Sequence, residues 1–472
     1  MSELERPLAS PAVEPTARRA FVHKLAVVFG VLFLLAIVIS RVDFNRDRHR
    51  LDAGMLSGSK EGNYFAIVAE LSQVAAKGSG KLRNVESAGS DANITRLAAS
   101  AKSCEVAFGL VQDGADFRGV DDKLELIARL PKSESVYFLG KDADKRTSFA
   151  SLAKAKIGIG PDGSGTARLA KQIFALPDFA DLGVELSNHP LAEQLRMAEE
   201  GALDLAFFVM DEDAPFIVQA MRSGKVQMAT FSAIDVVARR LPQVRTGRIG
   251  AGQYDAVKVL PPEDKKVLRV DTLVVGNRCA GRSATIDLLD VLRDKFPDVV
   301  RHNKETPNKT GLPLGHTSHG YFEHGGPEIA DEYVPWLVDF MAPANWAYII
   351  MGVSILFNAM NTAHRFRLWR IDAARVKLED ELSRLFGNGA TLGDIQRTEV
   401  SKPFLEPEAR TKIDALIRRF EELAARSRRQ SLSMLVPMGQ EMAYRYQEGI
   451  LYQTIAVLRA FRARLDPHAK PT

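Results

Sequence analysis

Cysteine is almost missing from this chain: only Cys104 and Cys279 occur in 472 residues. So few thiols exclude a disulfide-rich miniature fold and a cysteine-based zinc site. The two could pair in an oxidising compartment, since distance along the chain does not forbid contact. The reading we favour is two small apolar side chains in a core. A dominant charge sign is lacking as well. Lys and Arg total 63 against 59 Asp and Glu, a net charge of +4, which gives no argument for a nucleic-acid partner. Catalytic signatures are absent: there is no G-x-S-x-G, no H-E-x-x-H and no P-loop. Ser164 has no indicated histidine or acid partner, so an enzyme is not expected. His316, His319 and His324 fall close together. Their segment is glycine-rich, with no helical period to align the rings and no fourth ligand, so no metal and no cofactor is expected.

What is present is length and two charge-free apolar runs. A chain of 472 residues implies two to four domains, and 46% hydrophobic with 26% charged residues is ordinary for globular protein. The first run, Leu25 to Ser40, extended by Phe21 and Val22 and by Lys24 snorkelling to the interface, reaches about the 20 residues that span a bilayer. No small-x-small site follows it, and Arg41-Val42-Asp43-Phe44 is a poor cleavage site, so 21–40 reads as an uncleaved signal anchor behind a disordered tail, 1–20. The second run, 340–363, has Trp346 and Tyr348 as interfacial aromatics, and His364, Arg365, Arg367, Trp369 and Arg370 follow it. Asn358 and Asn361 inside the run read as tolerated polarity close to the interface, with an interhelical hydrogen bond as the other reading. The basic cluster 365–370 and Arg18 with Arg19 put both termini in the cytoplasm. Arg41, Arg46, Arg48 and Arg50 are a contrary signal, but they open a long domain, where charge counts for less. The expected location is the cytoplasmic membrane, with 41–339 on its periplasmic or extracellular side.

The exported segment alternates short apolar runs with helical patterns. Leu124 to Ala128, Ser135 to Leu139, Lys156 to Ile159, Leu203 to Val209, Val226 to Phe231 and Leu268 to Val275 read as strands. Ile67 to Ala76, Thr166 to Phe174, Leu191 to Glu200 and Ser283 to Phe296 read as helices. This predicts an α/β fold with a mostly parallel sheet, and nearly 300 residues suffice for two lobes. Three strand-to-helix junctions carry glycine and small hydroxyl residues: Ser57-Gly58-Ser59 before Tyr64, the stretch Ser87 to Asn93, and Gly163-Ser164-Gly165-Thr166. Unpaired backbone N–H groups and a positive helix end suit a carboxylate or phosphate there. Any one junction is explained by ordinary caps and turns; three shared between two lobes point to an anion-binding cleft.

In the same order along the chain, Ser57-Gly58-Ser59 with Gly62-Asn63-Tyr64 and Ser87-Ala88-Gly89-Ser90-Asp91-Ala92-Asn93-Ile94 are joined by Val111-Gln112, Gly163-Ser164-Gly165-Thr166 and Glu200 to Phe208. His316-Thr317-Ser318-His319-Gly320-Tyr321 completes the set. Over roughly 52–340 the sequence resembles the TAXI family of solute receptors, which serve TRAP transporters, and more loosely other type II periplasmic binding proteins. The resemblance implies a Venus-flytrap domain over 50–339, with lobe 1 at about 50–139 plus 271–339 and lobe 2 at about 140–270. It also implies a small carboxylate ligand, glutamate-like or a dicarboxylate, and carries ligand contacts onto Ser59, Tyr64, Ser90, Asn93, Gln112, Ser164, Gly165 and Thr166. Ser87 replaces the family's usual Thr, Asp91 adds an acid beside the anion site, and Thr317-Ser318 replaces Pro-Gly. Soluble members also lack the second span and all that follows it.

After the second span, 364–472 reads as a cytoplasmic helical region. Ala374 to Phe386 is helical and stops at Gly387-Asn388-Gly389. Ile413, Leu416, Ile417, Phe420, Leu423 and Ala424 form an amphipathic stripe, and another helix runs from about Gly439 to Leu465, with Pro437 between the two. The tail is expected to bind a partner or to form a homodimer, or else to stabilise the anchor alone. Arg426 to Arg429 reads as a solvated face that could also meet anionic lipid headgroups. The expected function is a membrane-anchored receptor for a small organic anion, delivering it to TRAP-type membrane subunits; a ligand sensor signalling through the tail is the alternative.

Overall fold

The computed structural model describes residues 15–40, 42, 47–341, 343–387, 389–399, 404, 406–433, 436 and 440–465. The sequence readings at Arg41, Arg46, Asn388, Pro437 and Gly439, and most of the 1–20 tail, lie outside them. Two compact units result, 42–343 on the one hand and the flanking helices with the C-terminal region on the other.

In the 42–343 unit, twelve strands form two sheets. The first has the order β2 (Lys81–Val85), β1 (Asp52–Leu56), β3 (Phe108–Gln112), β12 (Thr272–Asn277), β4 (Leu124–Arg129). The second runs β10 (Val244–Ile249), β11 (Lys265–Val270), β5 (Glu134–Gly140), β8 (Leu205–Met210), β6 (Lys156–Gly158), β7 (Glu185–Ser187), with the two-residue β9 (Gln227–Met228) against β5. Each sheet is the core of one lobe. Lobe 1 buries Met55, Phe108, Val274, Leu288 and Leu292 on one side of its sheet and Leu56, Leu97, Val111 and Val275 on the other. Lobe 2 is built around Phe138, Phe149, Phe207 and Phe231, the Phe138 ring edge-on to Phe207 and Phe231 at 5.0 Å.

Three expectations are corrected here. The sheets are mixed: β1–β2, β1–β3, β6–β7 and β6–β8 are parallel, whereas β12 is antiparallel to both neighbours and β5 to β8, β9 and β11. The apolar run 268–275 is two strands, not one. It leaves lobe 2 at Val270, turns at Asp271 and enters lobe 1 at Thr272. The first crossover falls between Arg129 and Glu134 rather than at 139, because β5 already pairs with β8 of lobe 2. At the crossovers Arg129 is buried with Nη1 2.6 Å from Asp113 and 2.8 Å from Asp271, and Arg245 reaches the same Asp271 at 2.8 Å. Burial resists ionisation of Asp271, but Arg245, Ser133 and Arg129 outweigh it and hold the carboxyl below its usual range.

Cys104 and Cys279 form a disulfide, correcting the expectation of two core thiols. Cys104 lies on the exposed turn after the helix Ser90–Ser100, and Cys279 on the turn after β12. His316 to His324 is a helix, contrary to the absence of a helical period. The three imidazoles are exposed on it, with His324 Nδ1 2.8 Å from the Gly320 carbonyl. Among the described residues, no group of three His, Cys, Asp or Glu side chains is placed to hold a metal.

In the other unit, a helix Pro15–Ser40 carries the apolar stretch Leu25–Ile37. A second helix, 44 residues long, runs unbroken over Pro343–Phe386. It starts later than 340, because Pro335–Phe340 is a separate short helix, and it fuses the apolar run to the expected Ala374–Phe386 helix. By length and composition its apolar part could cross a membrane, and among the described residues it alone qualifies. Its later turns pack with the helices Pro407–Ser431 and Glu441–Arg464 around Leu378, Leu382, Phe420, Leu451, Leu458 and Phe461.

Candidate functional site: a cleft between the two lobes

The strands β1, β3, β6 and β8 end at one edge, where side chains and helix starts meet. Four helices contribute their first residues: α2 (Asn63–Lys77), α3 (Ser90–Ser100), α4 (Gly165–Phe174) and α5 (Leu191–Glu200). We number helices in chain order, with Pro15–Ser40 as α1. Their N-terminal residues line a cavity with an interior of about 70 Å³. Each helix start leaves backbone N–H groups without intrahelical partners and carries a partial positive charge.

Lobe 1 supplies Gly58, Ser59, Asn63, Tyr64, Ala88, Gly89, Ser90 and Gln112, and lobe 2 supplies Glu134, Pro161, Ser164, Gly165, Thr166, Leu191, Val209 and Met210. Seven of the eight sequence-derived residues therefore share one cavity. Asn93 does not line it: its amide nitrogen is 2.7 Å from both the Ser57 and Leu110 carbonyls, beneath the lining. Gln194 has the same role in lobe 2, accepting from Gly160 N at 2.5 Å and donating to the Phe207 carbonyl at 2.8 Å. These two amides fix strand ends to helices and so position the site from below.

The lobes meet closely around it. Gly89, with φ of +127°, sits so near lobe 2 that a Cβ would lie 3.0 Å from Ser164 Cα. At Gly165 a Cβ would overlap the Gln112 amide oxygen and come 2.7 Å from Ser90 Oγ. Asp91 N donates to the Gly163 carbonyl at 3.2 Å, and Arg168 of α4 pairs with Asp91 of α3 across the cleft mouth. The acid added at 91 is thus an interlobe contact outside the lining.

Polar groups of the lining are not all consumed. Ser90 Oγ accepts from Gln112 N at 2.9 Å, and the hydroxyl still has a hydrogen to give. Gln112 is buried, and its Nε2 has no partner among the described residues. Ser164 is committed to capping α4: its hydroxyl donates to the Pro161 carbonyl at 2.6 Å and accepts from Ala167 N at 3.1 Å. Among the described residues, no Lys or Arg lines the cavity.

Sequence reasoning missed Glu134, the one acid of the lining among the described residues. It is buried, with Asn63 Nδ2 and Tyr64 Oη each donating to its carboxylate at 3.1 Å, so helix α2 of lobe 1 is tied to β5 of lobe 2. Burial pushes its carboxyl up to about 7 despite these donors. The Tyr64 hydroxyl is raised well above its usual range by the same burial and by Glu134. A lone acid at the start of an apolar run, Glu134 before Val136-Tyr137-Phe138-Leu139, was the available signal.

Residues 55–261 match the NMT1-like family. Comparison with curated proteins found no match. Among solved structures the chain is similar to the substrate binding protein of an amino acid ABC transporter, at 11% identity over 54% of this chain and 99% of that one, TM-score 0.33. It is also similar to an ancestral arginine-binding protein bound to arginine, at 10% identity, 54% and 98% coverage and TM-score 0.34. An arginine transport system periplasmic binding protein from Legionella pneumophila gives 12%, 54% and 99%, TM-score 0.30. The 42–343 unit itself is a two-lobed α/β domain with mixed sheets.

Proposed function

We propose that the 42–343 unit is an extracytoplasmic receptor that closes on a small carboxylate, anchored at the cytoplasmic membrane by α1 and by the helix Pro343–Phe386. The observation that carries this reading is the buried, unpartnered Gln112 Nε2 in a cavity framed by four helix starts. A carboxylate would accept from Gln112, from the Ser90 hydroxyl and from free N–H groups of the helix starts. Glu134 refines the ligand: a simple dicarboxylate would set its second charge near a buried acid, whereas a molecule with an ammonium or N–H at that end would pair with it. A glutamate-like amino acid fits better than a dicarboxylate on this ground. The Cys104–Cys279 disulfide supports an oxidising compartment.

Binding rather than catalysis is our reading, since the one serine that resembles a nucleophile is engaged as a cap. Delivery to TRAP-type membrane subunits is the role the TAXI resemblance favours. A sensor is favoured by a different observation, the unbroken passage of one helix from the apolar run into the C-terminal bundle. Calorimetry on the full chain in detergent, with acidic amino acids, dicarboxylates and neutral sugars, tests the ligand class. Saturable binding of an acid, lost in Gln112→Leu, is expected; binding of sugars alone would refute the carboxylate. A co-purifying multi-span permease would favour transport over sensing.

A further inference from the structure

The three long helices of the C-terminal region are in register in a way that bears on the bilayer. The helix Pro343–Phe386, α13 once the shorter helices between are counted, enters the bundle at His364. There the Tyr444 hydroxyl lies 3.3 Å from His364 Nδ1 with the rings edge-on, and Ser427 Oγ donates to the Tyr444 carbonyl at 2.9 Å. Further along, Gln447 donates to Asp372 at 3.1 Å, and Phe386 packs on Phe461 at 4.8 Å. The end of Pro407–Ser431 and the start of Glu441–Arg464 are therefore level with His364, and both helices lead away from there alongside α13.

Pro343 to Ala363 rises roughly 30 Å at 1.5 Å per residue, the thickness of a bilayer core. If that stretch spans, as our functional reading holds, everything level with 364–370 lies in the headgroup layer. The surface at this level suits that medium. Phe366 and Trp369 are stacked and exposed, at 55% and 61%, and Met442 and Tyr446 are exposed at 63% and 70%. Between them stand six exposed arginines: Arg365, Arg367 and Arg370 behind the run, Arg426 and Arg429 at the end of one helix, and Arg445 on the next. No ion pair forms on these six among the described residues; farther down, Arg419, Arg459 and Arg462 are paired to Glu381, Glu421 and Asp414, while among the described residues Arg384 and Arg418 stand singly. Unpaired guanidinium groups interleaved with aromatic side chains match a layer of lipid phosphates.

We propose that this end of the bundle is a docking surface for anionic phospholipid headgroups, so that the C-terminal region lies against the inner leaflet instead of hanging free from the span. The proposal rests on the spanning reading of α13, and the test separates the two. Single tryptophans at Tyr446 and, as a control, at Phe357 within the apolar run are introduced into the full chain with Trp336, Trp346 and Trp369 replaced by Phe. Each is reconstituted in nanodiscs of brominated lipid, zwitterionic or with one-third phosphatidylglycerol. Phe357→Trp should be quenched in both. Tyr446→Trp should be quenched at least twofold more in the anionic discs, and adding Arg426→Ala, Arg429→Ala and Arg445→Ala or high salt should remove that difference. Quenching at Phe357→Trp with none at Tyr446→Trp, or equal quenching in both lipids, would overturn the docking surface alone. Absence of quenching at Phe357→Trp would overturn the span and the docking surface with it.

Discussion

In the cleft, Glu134 and Gly165 of lobe 2 each lie against side chains of lobe 1. Glu134 holds its proton more tightly in the folded chain, with a pKa near 7, than at the ordinary 4.5. Its contribution is therefore fully present below about pH 4.5 and is lost as pH rises through 7, by up to about 3 kcal/mol. The ligand-free full chain should melt at a lower temperature at pH 8 than at pH 5, and Glu134→Gln should flatten part of that fall. Asp287 is also raised to about 7, by burial and by Asp290, but it is common to both proteins and cancels in the comparison. Identical pH profiles of parent and variant would show that Glu134 is ionised at no cost. Gly165→Ala places a methyl against Gln112 and Ser90, so ligand affinity should drop at least about tenfold, and the unliganded protein should melt lower as well. Undiminished affinity by calorimetry would mean that the bound lobes stand farther apart than described here.

Among the elements, the crossovers hold a partly buried cluster of two acids and two arginines. Arg129 neutralises Asp113 and Asp271 where the chain passes between sheets. Arg129→Met takes from Asp113 its Arg129 partner and leaves the buried Asp271 with Arg245 and Ser133; it should cost about 3–5 kcal/mol, read as a fall in the denaturant midpoint, and a neutral substitution would mean that water already reaches the hinge. These same segments show what the sequence could and could not convey. The strand-to-helix junctions were legible because glycine and hydroxyl residues mark local backbone geometry; the seven cavity residues were carried over from the TAXI resemblance, and six of them lie at those junctions, with Gln112 at the end of β3. The passage at Asp271 was not legible, since Arg269 and Asp271 alternate with apolar residues as they would in one continuous strand, and a one-residue turn into another sheet leaves no further periodic trace. Strand direction was equally hidden: β5 and β12 run antiparallel for reasons that lie in lobe exchange, not in their own residues. Asn93 looked like a ligand contact because a buried amide beneath a site and one within it have the same sequence neighbourhood.

At the scale of the whole molecule, we propose a ligand-binding unit on the extracytoplasmic side of a membrane and the C-terminal helices on its cytoplasmic side. The disulfide belongs to this scale. In intact cells Cys104 and Cys279 should react with a bulky maleimide only after reduction, and Cys104→Ser with Cys279→Ser should cost the receptor unit about 2–4 kcal/mol. Free reactive thiols in freshly isolated protein would argue for a reducing compartment and against export. Single cysteines placed near residue 12 and near residue 468 in that variant should be shielded from an impermeant reagent; labelling at both would reverse the orientation. None of this matters to function unless the cleft holds an acid. The most direct measurement is the thermal shift of the full chain in detergent with glutamate-like amino acids and dicarboxylates, parent beside Ser90→Ala. We expect saturable stabilisation by at least one acid that Ser90→Ala weakens or abolishes. No stabilisation by any acid, with Ser90→Ala indistinguishable from the parent, would contradict the carboxylate receptor.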